Sequence, residues 1–225
     1  MGVQQDTSLQ DVSRYYDSAR DDLLPLIPIS ARRILDVGCG AGRLGEALKQ
    51  QRSVTVVGIE LQPDAAAKAA AVLDQVICCS AETVDPQKLG PPFDCIIMGD
   101  VLEHLVDPWA ALRKFSGLLG PEGVVVASLP NVGYWSIIWG LLRGRWEYRE
   151  RGMLDRSHLR FFTLRSAEEL FTNAGLFIER CERNYRLRER DRRGSRLAQR
   201  IAKGPLRRFL TFQFKIAARR KEVSA

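Results

Sequence analysis

The stretch Ile34–Gly45, ILDVGCGAGRLG, decides the fold: a short apolar run ends at an aspartate, and closely spaced glycines follow. The glycines at positions 40, 42 and 45 fit the dinucleotide pattern G-x-G-x-x-G. Glycine lets the backbone turn sharply and approach a ligand closely. The helix predicted to follow offers free N–H groups and the positive end of its dipole. These properties suit a pyrophosphate or a carboxylate, so the glycines alone leave the ligand open.

Asp36 lies two residues before Gly38 and bears on the choice of ligand. A carboxylate at this place repels a pyrophosphate, whereas it attracts an ammonium or sulfonium group. S-adenosylmethionine carries both of these cations and a carboxylate. Glu60 closes the next apolar run and can accept hydrogen bonds from two ribose hydroxyls, a role shared by NAD and S-adenosylmethionine sites. Glu60 by itself therefore does not distinguish the two cofactors.

Strand-like and helix-like segments alternate along the chain, and the early strands are almost wholly apolar. Strands are predicted at 32–38, 53–61, 75–81, 93–100, 123–130, 176–185 and 209–220, and helices at 11–26, 43–51, 63–74, 107–119 and 166–175. In the last of these helices, Ser166 and Glu169 fit a capping box and Gly175 a stop signal. Apolar strands that alternate with helices indicate parallel strands buried on both faces. The sequence predicts an α/β, doubly wound, Rossmann-like sheet.

The length suits a single domain over residues 1–225. Residues 1–29 are predicted to form an N-terminal helical cap. Residues 132–163 leave the carboxyl end of the fifth predicted strand, where ligands bind in open α/β sheets, so they are predicted to be a substrate-side insert that contacts the acceptor. Residues 186–208 are predicted to form a basic, helical insert between the last two strands.

The composition is that of an ordinary globular protein, with 45% apolar and 27% charged residues. The polar N-terminus predicts no signal peptide, and no window of about 18 apolar residues predicts a membrane span. Five cysteines without C-x-x-C spacing are typical of reduced, buried thiols in a cytoplasmic protein. The two histidines argue against a histidine-rich metal site, and no metal ligand is assigned, although hydrated Mg²⁺ stays compatible.

The positive charge is concentrated near the C-terminus. Residues 181–225 carry 15 Lys or Arg and 4 Asp or Glu, whereas the rest of the chain carries 19 and 23. One interpretation is a solvated basic face. The others are attraction to phosphates of nucleic acid or of nucleotide-linked substrates, and peripheral contact with an anionic membrane.

Three motifs in this order, ILDVGCGAG, VVGIE and FDCIIMGDVLEHLVDP, resemble the class I S-adenosylmethionine-dependent methyltransferases. The GDVLEHL form resembles the branch that contains ubiquinone-biosynthesis O-methyltransferases and MetW-like proteins. The segment from SLPNVGYW to LRFFT resembles a subgroup associated with polysaccharide and glycosyl-transfer pathways. The resemblance covers nearly the whole chain and implies a seven-stranded, mostly parallel sheet with a final antiparallel strand. The resemblance also implies that the match to the dinucleotide pattern G-x-G-x-x-G is fortuitous.

The resemblance also implies a set of residues that bind S-adenosylmethionine. The implied contacts are Asp36, Gly38 and Gly40 to the methionine moiety, Gly42 in the adjoining turn, Glu60 to the ribose, Leu61, Ala81 and Glu82 near the adenine, and Asp100 and Val101 at the end of the fourth strand. Tyr16, on the N-terminal helix, is expected to cover the cofactor. Ser80 stands where many relatives have an aspartate that binds the adenine amino group, which predicts weaker binding there.

Methyl transfer to a hydroxyl group usually requires a general base, and histidine has a suitable pKa. His104 follows the fourth predicted strand at the expected mouth of the substrate site. Asp155 stands three residues before His158, so on a helical turn it shares a face with His158 and can orient its ring. In its sharpest form, the hypothesis places both histidines at one pocket. The alternatives are a structural bond at a helix start for His104 and a local bond within the insert for His158.

The insert interleaves arginines with aromatic residues, a pattern that suits an anionic acceptor such as a nucleotide sugar or a polyprenyl-pyrophosphate glycan. Surface arginines with solvated head groups are the alternative. The apolar run YWSIIWGLL is expected in the core, with contact to a lipid-bearing acceptor as the alternative. The predicted oligomeric state is left open.

The predicted function is O-methylation of a small-molecule or saccharide hydroxyl, and three other functions were compared with it. GDVLEH replaces the [D/N]-P-P-[Y/F] motif typical of base-amino methyltransferases, which disfavours nucleic-acid methylation. Asp36 and the lack of a Tyr-x-x-x-Lys pair disfavour an NAD oxidoreductase. A non-catalytic, S-adenosylmethionine-binding partner protein of the MetW-like kind stays open.

Overall fold

The computed structural model describes residues 20–188, 196–204 and 206–220. These residues form one seven-stranded sheet. Its strands are β1 (Arg33–Val37), β2 (Thr55–Glu60), β3 (Gln75–Cys78), β4 (Phe93–Gly99), β5 (Leu119–Pro130), β6 (Leu176–Tyr185) and β7 (Thr211–Arg220). The helices are α1 (Arg43–Gln51), α2 (Pro63–Ala70), α3 (Pro108–Ser116), α4 (Trp135–Leu142), α5 (Leu164–Asn173), α6 (Arg196–Ile201) and α7 (Leu206–Leu210).

The strand order is β3-β2-β1-β4-β5-β7-β6. The first five strands pair in parallel, and β7 runs antiparallel to both β5 and β6. This arrangement confirms the predicted doubly wound, mostly parallel α/β sheet with a final antiparallel strand. The chain order reverses direction between β1 and β4, so the carboxyl ends of these two strands border the crevice where α/β sheets bind ligands.

Helices cover both faces of the sheet. On one face, α3 and α5 bury Leu112, Phe115 and Phe171 against the strands. On the other face, α1 packs with a short 3₁₀ helix, Asp21–Leu26, through Leu48 and Leu23. Because successive β1 residues point to opposite faces, Leu35 belongs to the first cluster and Ile34 to the second. Both faces of the sheet are buried, which explains why the strands are apolar.

Several predicted boundaries are wrong. The described part of the predicted helix 11–26 is the 3₁₀ helix, with Pro25 inside it, and Tyr16 lies outside the described residues. Helix α5 begins earlier than predicted, because Thr163 is its N-cap and Ser166 occupies the third position of the capping box. The stop is as predicted: Gly175, at φ +74°, follows the C-cap. Near the C-terminus, a short helix, α7, replaces the predicted start of the last strand.

The insert 132–163 consists of α4 and an irregular segment, and it shares a small core with β7. Tyr134, Ile137, Met153, Leu154 and Phe212 form this core. The expectation of a buried YWSIIWGLL run holds only in part: Ile137 is buried, whereas Trp139 and Leu142 are 49% and 74% exposed. The described parts of the basic insert 186–208 contain α6 and α7.

All five cysteines are free thiols, but they are not all buried: Cys39 and Cys95 are, and Cys78 is exposed. Among the described residues, no helix is long and apolar enough to cross a membrane.

Candidate active site

The loop after β1 combines left-handed glycines with close backbone packing. Gly38, Gly40 and Gly42 have φ of +70°, +54° and +80°. A side chain at Gly38 would place its Cβ 2.7 Å from Cγ2 of Val101, so only glycine fits there. The Gly38 N–H donates to the carbonyl of Ile59 on β2, and Gly42 is the N-cap of α1. The loop therefore lies flat across the ends of β1 and β2.

Glu60, at the end of β2, anchors this loop. Its Oε2 accepts a hydrogen bond from the Gly40 N–H, and its Oε1 accepts one from the Gln62 N–H, both at 2.8 Å. The side chain is buried, with 4% of the residue exposed. Each carboxylate oxygen keeps a second lone pair, so the pair can accept from two hydroxyls on the cavity side.

Asp36, on β1, is also buried. Burial, together with the negative charge of Glu60, raises the pKa of Asp36 to about 7, while Arg20 opposes the shift. Two carboxylates and little solvent make this side of the loop favourable for a cation. A pyrophosphate would be repelled, as the sequence predicts.

Asp100 follows β4 and has a left-handed backbone, with φ +55°, the one positive value among described non-glycine residues. Its Oδ1 accepts from Ser128 Oγ at 2.8 Å and from Gln213 Nε2 at 2.6 Å, and its Oδ2 pairs with Arg20. The Asp100 N–H also donates to Ser128 Oγ. Sequence reasoning missed Ser128 and Gln213, because they come from distant segments and belong to no motif, and it did not pair Arg20 with Asp100.

Ala81 and Glu82 line the proposed adenine side. The Ser80 hydroxyl accepts from the Glu82 N–H, and Glu82 Oε1 accepts from the Asp107 N–H at 2.9 Å. Lys114 Nζ donates to the carbonyls of Ala81 and Glu82, which fixes this turn. The Ser80 hydroxyl thus stabilises the turn, a role that was not predicted from the sequence.

One cavity of about 1580 Å³ brings most of the predicted cofactor residues together. It is lined by Asp36, Gly38, Gly40, Glu60, Leu61, Ala81, Glu82, Asp100, Val101 and His104. Gly42 lies behind the lining and shapes the turn, and Leu61 is 61% exposed at the rim. His158 lines a smaller neighbouring cavity with Tyr148, Arg156, Leu159 and Phe161.

The two histidines meet although they are far apart in sequence. Their rings lie edge to face with centroids 4.8 Å apart. His104 Nδ1 donates to the Ser157 carbonyl and His158 Nδ1 to the Met153 carbonyl, both at 3.1 Å. Burial and the neighbouring His104 lower the pKa of His158.

Asp155 has a different contact from the one predicted. Its Oδ1 accepts from the N–H of Ser157 at 2.9 Å and from the Ser157 hydroxyl at 2.6 Å. The His158 ring contacts Met153 instead. Because the Ser157 carbonyl accepts from His104, Asp155 stabilises the turn that orients His104.

The described residues fit S-adenosylmethionine. Glu60 can accept from ribose hydroxyls, Asp36 and Asp100 offer negative charge to an ammonium or sulfonium group, and the N–H groups at the start of α1 suit a carboxylate. The glycine loop provides the close approach that this ligand requires.

Comparison with known proteins agrees with this fit. The family described as "Methyltransferase domain" matches residues 9–180. The ubiquinone biosynthesis O-methyltransferase of Cereibacter sphaeroides is 30% identical over 165 residues, covering 69% of this chain and 64% of that protein. Its namesake in Bradyrhizobium diazoefficiens is 34% identical over 105 residues, covering 44% and 40%. The matched regions thus span 40% and 64% of these two relatives.

A solved structure supports the fold. Magnesium protoporphyrin IX methyltransferase of Synechocystis PCC 6803, crystallised with bound SAH (S-adenosylhomocysteine), superposes with a TM-score of 0.60 at 14% identity, covering 98% of this chain and 90% of that one. The fold, the motifs and the family match agree, and S-adenosylmethionine is the cofactor. The chain belongs to the class I S-adenosylmethionine-dependent methyltransferases.

Proposed function

We propose that this protein transfers a methyl group from S-adenosylmethionine to a hydroxyl oxygen of a small-molecule acceptor, a saccharide or related compound that bears an anionic group. The observation that carries this proposal is the extent of the cavity. It continues from the proposed cofactor residues, past Asp100 and His104, to a wall formed by the end of β6, the start of β7 and α6. There is room for a second ligand beside the cofactor.

The far wall of the cavity is basic and amphipathic. Arg183 lines it from β6, Arg186 from the residue after β6, and Arg196 from α6. The Arg186 guanidinium stacks on the ring of Phe212, 3.9 Å from its centroid. Arginine binds phosphate or carboxylate groups in a planar, bidentate manner, and aromatic faces stack on sugars or bases. This combination supports an acceptor that is polar and anionic.

S-adenosylmethionine, when bound, supplies a methyl group on a positively charged sulfur. The chain's own residues bind and orient the reactants. Glu60 and the glycine loop would fix the ribose and the methionine part, while Asp36 offsets the positive charge. Asp100, held by Arg20, Ser128 and Gln213, would set the boundary between cofactor and acceptor. Such alignment supplies much of the rate in an in-line displacement.

His104 and His158 are the groups proposed to activate the acceptor hydroxyl, which must lose its proton as its oxygen is methylated. His104 lines the cavity next to Asp100, and His158 lies directly behind it. O-methyl transfer is also the activity named for the ubiquinone biosynthesis relatives, which supports oxygen as the acceptor atom.

The first experiment is calorimetric titration with S-adenosylhomocysteine, with NAD as the control. We expect micromolar binding of the former alone. Saturation at about one hundred times the dissociation constant should add roughly 2.7 kcal/mol to the free energy of unfolding. Absence of binding would contradict the proposal at its first step.

The second experiment measures methyl transfer to a panel of neutral sugars, sugar phosphates, nucleotide sugars and nucleic-acid oligomers. We expect the anionic saccharides to be methylated and Arg183→Gln to raise their KM. Arg165→Gln, whose side chain is 89% exposed on α5, is the matched control and should change nothing. Cofactor binding without transfer to any acceptor would favour a non-catalytic partner protein, and transfer to the oligomers would favour nucleic-acid methylation.

A further inference from the structure

The side chains of Glu103, His104 and His158 form a cluster. The roles predicted for the single residues do not explain why the three side chains lie together. One potential ligand atom from each residue lies within 4.8 Å of the other two. Glu103 and His104 come from the short 3₁₀ helix Leu102–His104 after β4, and His158 comes from the insert. Among the described residues, this is the group of His, Cys, Asp and Glu side chains that is close enough to bind one ion.

The hydrogen bonds of the two rings determine which nitrogens face each other. A backbone carbonyl can only accept, so the Nδ1 atoms of His104 and His158 both carry the proton that they donate to Ser157 and Met153. Nε2 is therefore the nitrogen that each ring can offer to an ion. Protein metal sites use the same arrangement, in which a carbonyl holds one ring nitrogen and the metal binds the other.

The third member, Glu103, is a buried carboxyl group with an unsatisfied oxygen. Glu103 is 1% exposed, its Oε2 is fully buried, and neither this oxygen nor the buried Nε2 of His104 has a hydrogen-bond partner among the described residues. Buried polar atoms without partners are rare in native proteins. Acceptors that converge without a donor require a proton or a cation between them.

We propose that Glu103, His104 and His158 bind a divalent transition-metal ion, and that this ion takes an oxygen of the acceptor as a further ligand. Two imidazoles and one carboxylate are a ligand set suited to ions such as Zn²⁺, Mn²⁺ or Co²⁺, and three protein ligands leave positions open. With bonds of about 2.1 Å, neighbouring ligands in a tetrahedral site lie about 3.4 Å apart. Side-chain shifts of about 1 Å therefore close the cluster on an ion.

The metal site itself is independent of the proposed function, but its use in catalysis rests on that function. An acceptor hydroxyl bound to the ion has a lowered pKa and releases its proton to solvent water. An electron pair of its oxygen then forms the new bond to the methyl carbon, while the carbon–sulfur bond breaks and its electrons stay on sulfur. The products are a methyl ether and S-adenosylhomocysteine. The position of His104 on the cavity wall places the ion beside the acceptor space.

The test uses the full chain, stripped with a chelator and titrated with Co²⁺ under visible absorption and with Zn²⁺ by calorimetry. We expect one equivalent to bind, with the absorption of nitrogen-ligated Co²⁺. Loss of a second-shell partner already weakens metal binding by about 10–100-fold, so Glu103→Gln and His158→Gln should each weaken it by about 100-fold or more. Glu169→Gln, at a surface ion pair on α5, is the control and should bind like the wild type.

Titration with S-adenosylhomocysteine accompanies each metal measurement and shows whether a variant is folded. A wild-type protein that binds this ligand but none of the metals overturns the inference and leaves the proposed function intact. Equal Co²⁺ affinity in wild type, Glu103→Gln and His158→Gln also overturns it. Stoichiometric metal binding that both variants lose confirms the site, even where no acceptor is methylated.

Discussion

Asp100 Oδ1 accepts a hydrogen bond from Gln213 Nε2 at 2.6 Å, and this contact joins the end of β4 to the antiparallel strand β7. Ser128 and Arg20 hold the same carboxylate. A left-handed backbone is unfavourable for an L-residue other than glycine, so these partners stabilise a conformation that Asp100 alone would seldom adopt. Three segments at once thus orient Asp100, the residue proposed to lie between cofactor and acceptor.

Gln213→Leu tests this orientation. A hydrogen bond to a charged group contributes about 1.5–3 kcal/mol, and Ser128 and Arg20 remain, so we expect the free energy of unfolding to fall by about 1–2 kcal/mol. Urea denaturation measures the change. Gln51→Leu, at the exposed end of α1, is the control and should stay within about 0.5 kcal/mol of wild type. Equal stability of the two variants would contradict the role assigned to Gln213.

Gly38→Ala should impair both stability and cofactor binding. A left-handed alanine costs about 1–2 kcal/mol, and its Cβ would also displace Val101. We expect the affinity for S-adenosylhomocysteine to fall at least tenfold. Gly144→Ala is a matched control, since Gly144 has φ +68° but no atom within 4 Å of the added Cβ. It should lose stability without losing affinity; a comparable loss of affinity would show that the contact with Val101 is irrelevant.

The raised pKa of Asp36 predicts a pH-dependent stability. With a pKa of about 7 in the folded state and 3.8 as the ordinary value, unfolding releases a proton between these pH values. The ligand-free protein should therefore lose stability as pH rises from about 4 to about 7, by about 1.4 kcal/mol per pH unit at the steepest.

Asp36→Asn isolates this effect. The stability of the variant relative to wild type should rise between pH 5 and pH 7 and then level off. Chemical denaturation at several pH values measures the difference. A difference that does not change with pH would mean that Asp36 is ionised throughout. S-adenosylmethionine should bind wild type more tightly as Asp36 ionises and should bind the variant weakly at every pH.

His104→Ala and His158→Ala should lower turnover by about 100-fold or more, in the range typical of groups that move a proton or bind a catalytic ion. The affinity for S-adenosylhomocysteine should stay near the wild-type value, because Glu60 and the glycine loop are intact. Steady-state rates and calorimetry provide the two measurements. Turnover equal to that of wild type in both variants would remove the histidines from the mechanism.

Asp155 can be tested through the contact that the structure reveals. Asp155→Ala removes the acceptor that holds Ser157, so the carbonyl that orients His104 loses its support, and we expect turnover to fall about tenfold. Asp155→Asn keeps a side-chain oxygen at this place and should retain most of the activity. Equal loss of turnover in the two variants would mean that the negative charge of Asp155, and not its support of the turn, is required for turnover.

The sheet was predictable because its strands are short apolar runs between glycine and helix signals, and such runs depend little on distant residues. The ends of the helices were less predictable. Thr163 and Ser166 both fit an N-cap, and the structure uses Thr163: its hydroxyl accepts from the Ser166 N–H, while the Ser166 hydroxyl accepts from the Thr163 N–H. The helix at Leu206–Leu210 buries none of its residues, and its last two, Phe209 and Leu210, were assigned to the strand that follows.

The grouping of most of the proposed cofactor residues around one cavity was predictable, because they follow the strand ends in recognisable motifs. The partners of Asp100 were not, since Arg20 and Gln213 meet it only through tertiary packing. The contact between His104 and His158 was a hypothesis, because it requires the insert to pack over the 3₁₀ helix Leu102–His104. Two backbone hydrogen bonds from Leu159 and Arg160 to the Glu103 carbonyl hold it there. Glu103 was given no role, although it lies in the GDVLEHL motif, because the sequence does not show that its side chain meets His158.

The position of β7 has a consequence for synthesis of the protein. In the described sheet, β6 is hydrogen-bonded to β7 alone, and β7 fills the gap between β5 and β6. A ribosome must therefore release residues 211–220 before β6 can join the sheet, and before Gln213 can reach Asp100. The first five strands can associate while translation continues, but the far wall of the cavity, where the acceptor is proposed to bind, is completed only after β7 emerges.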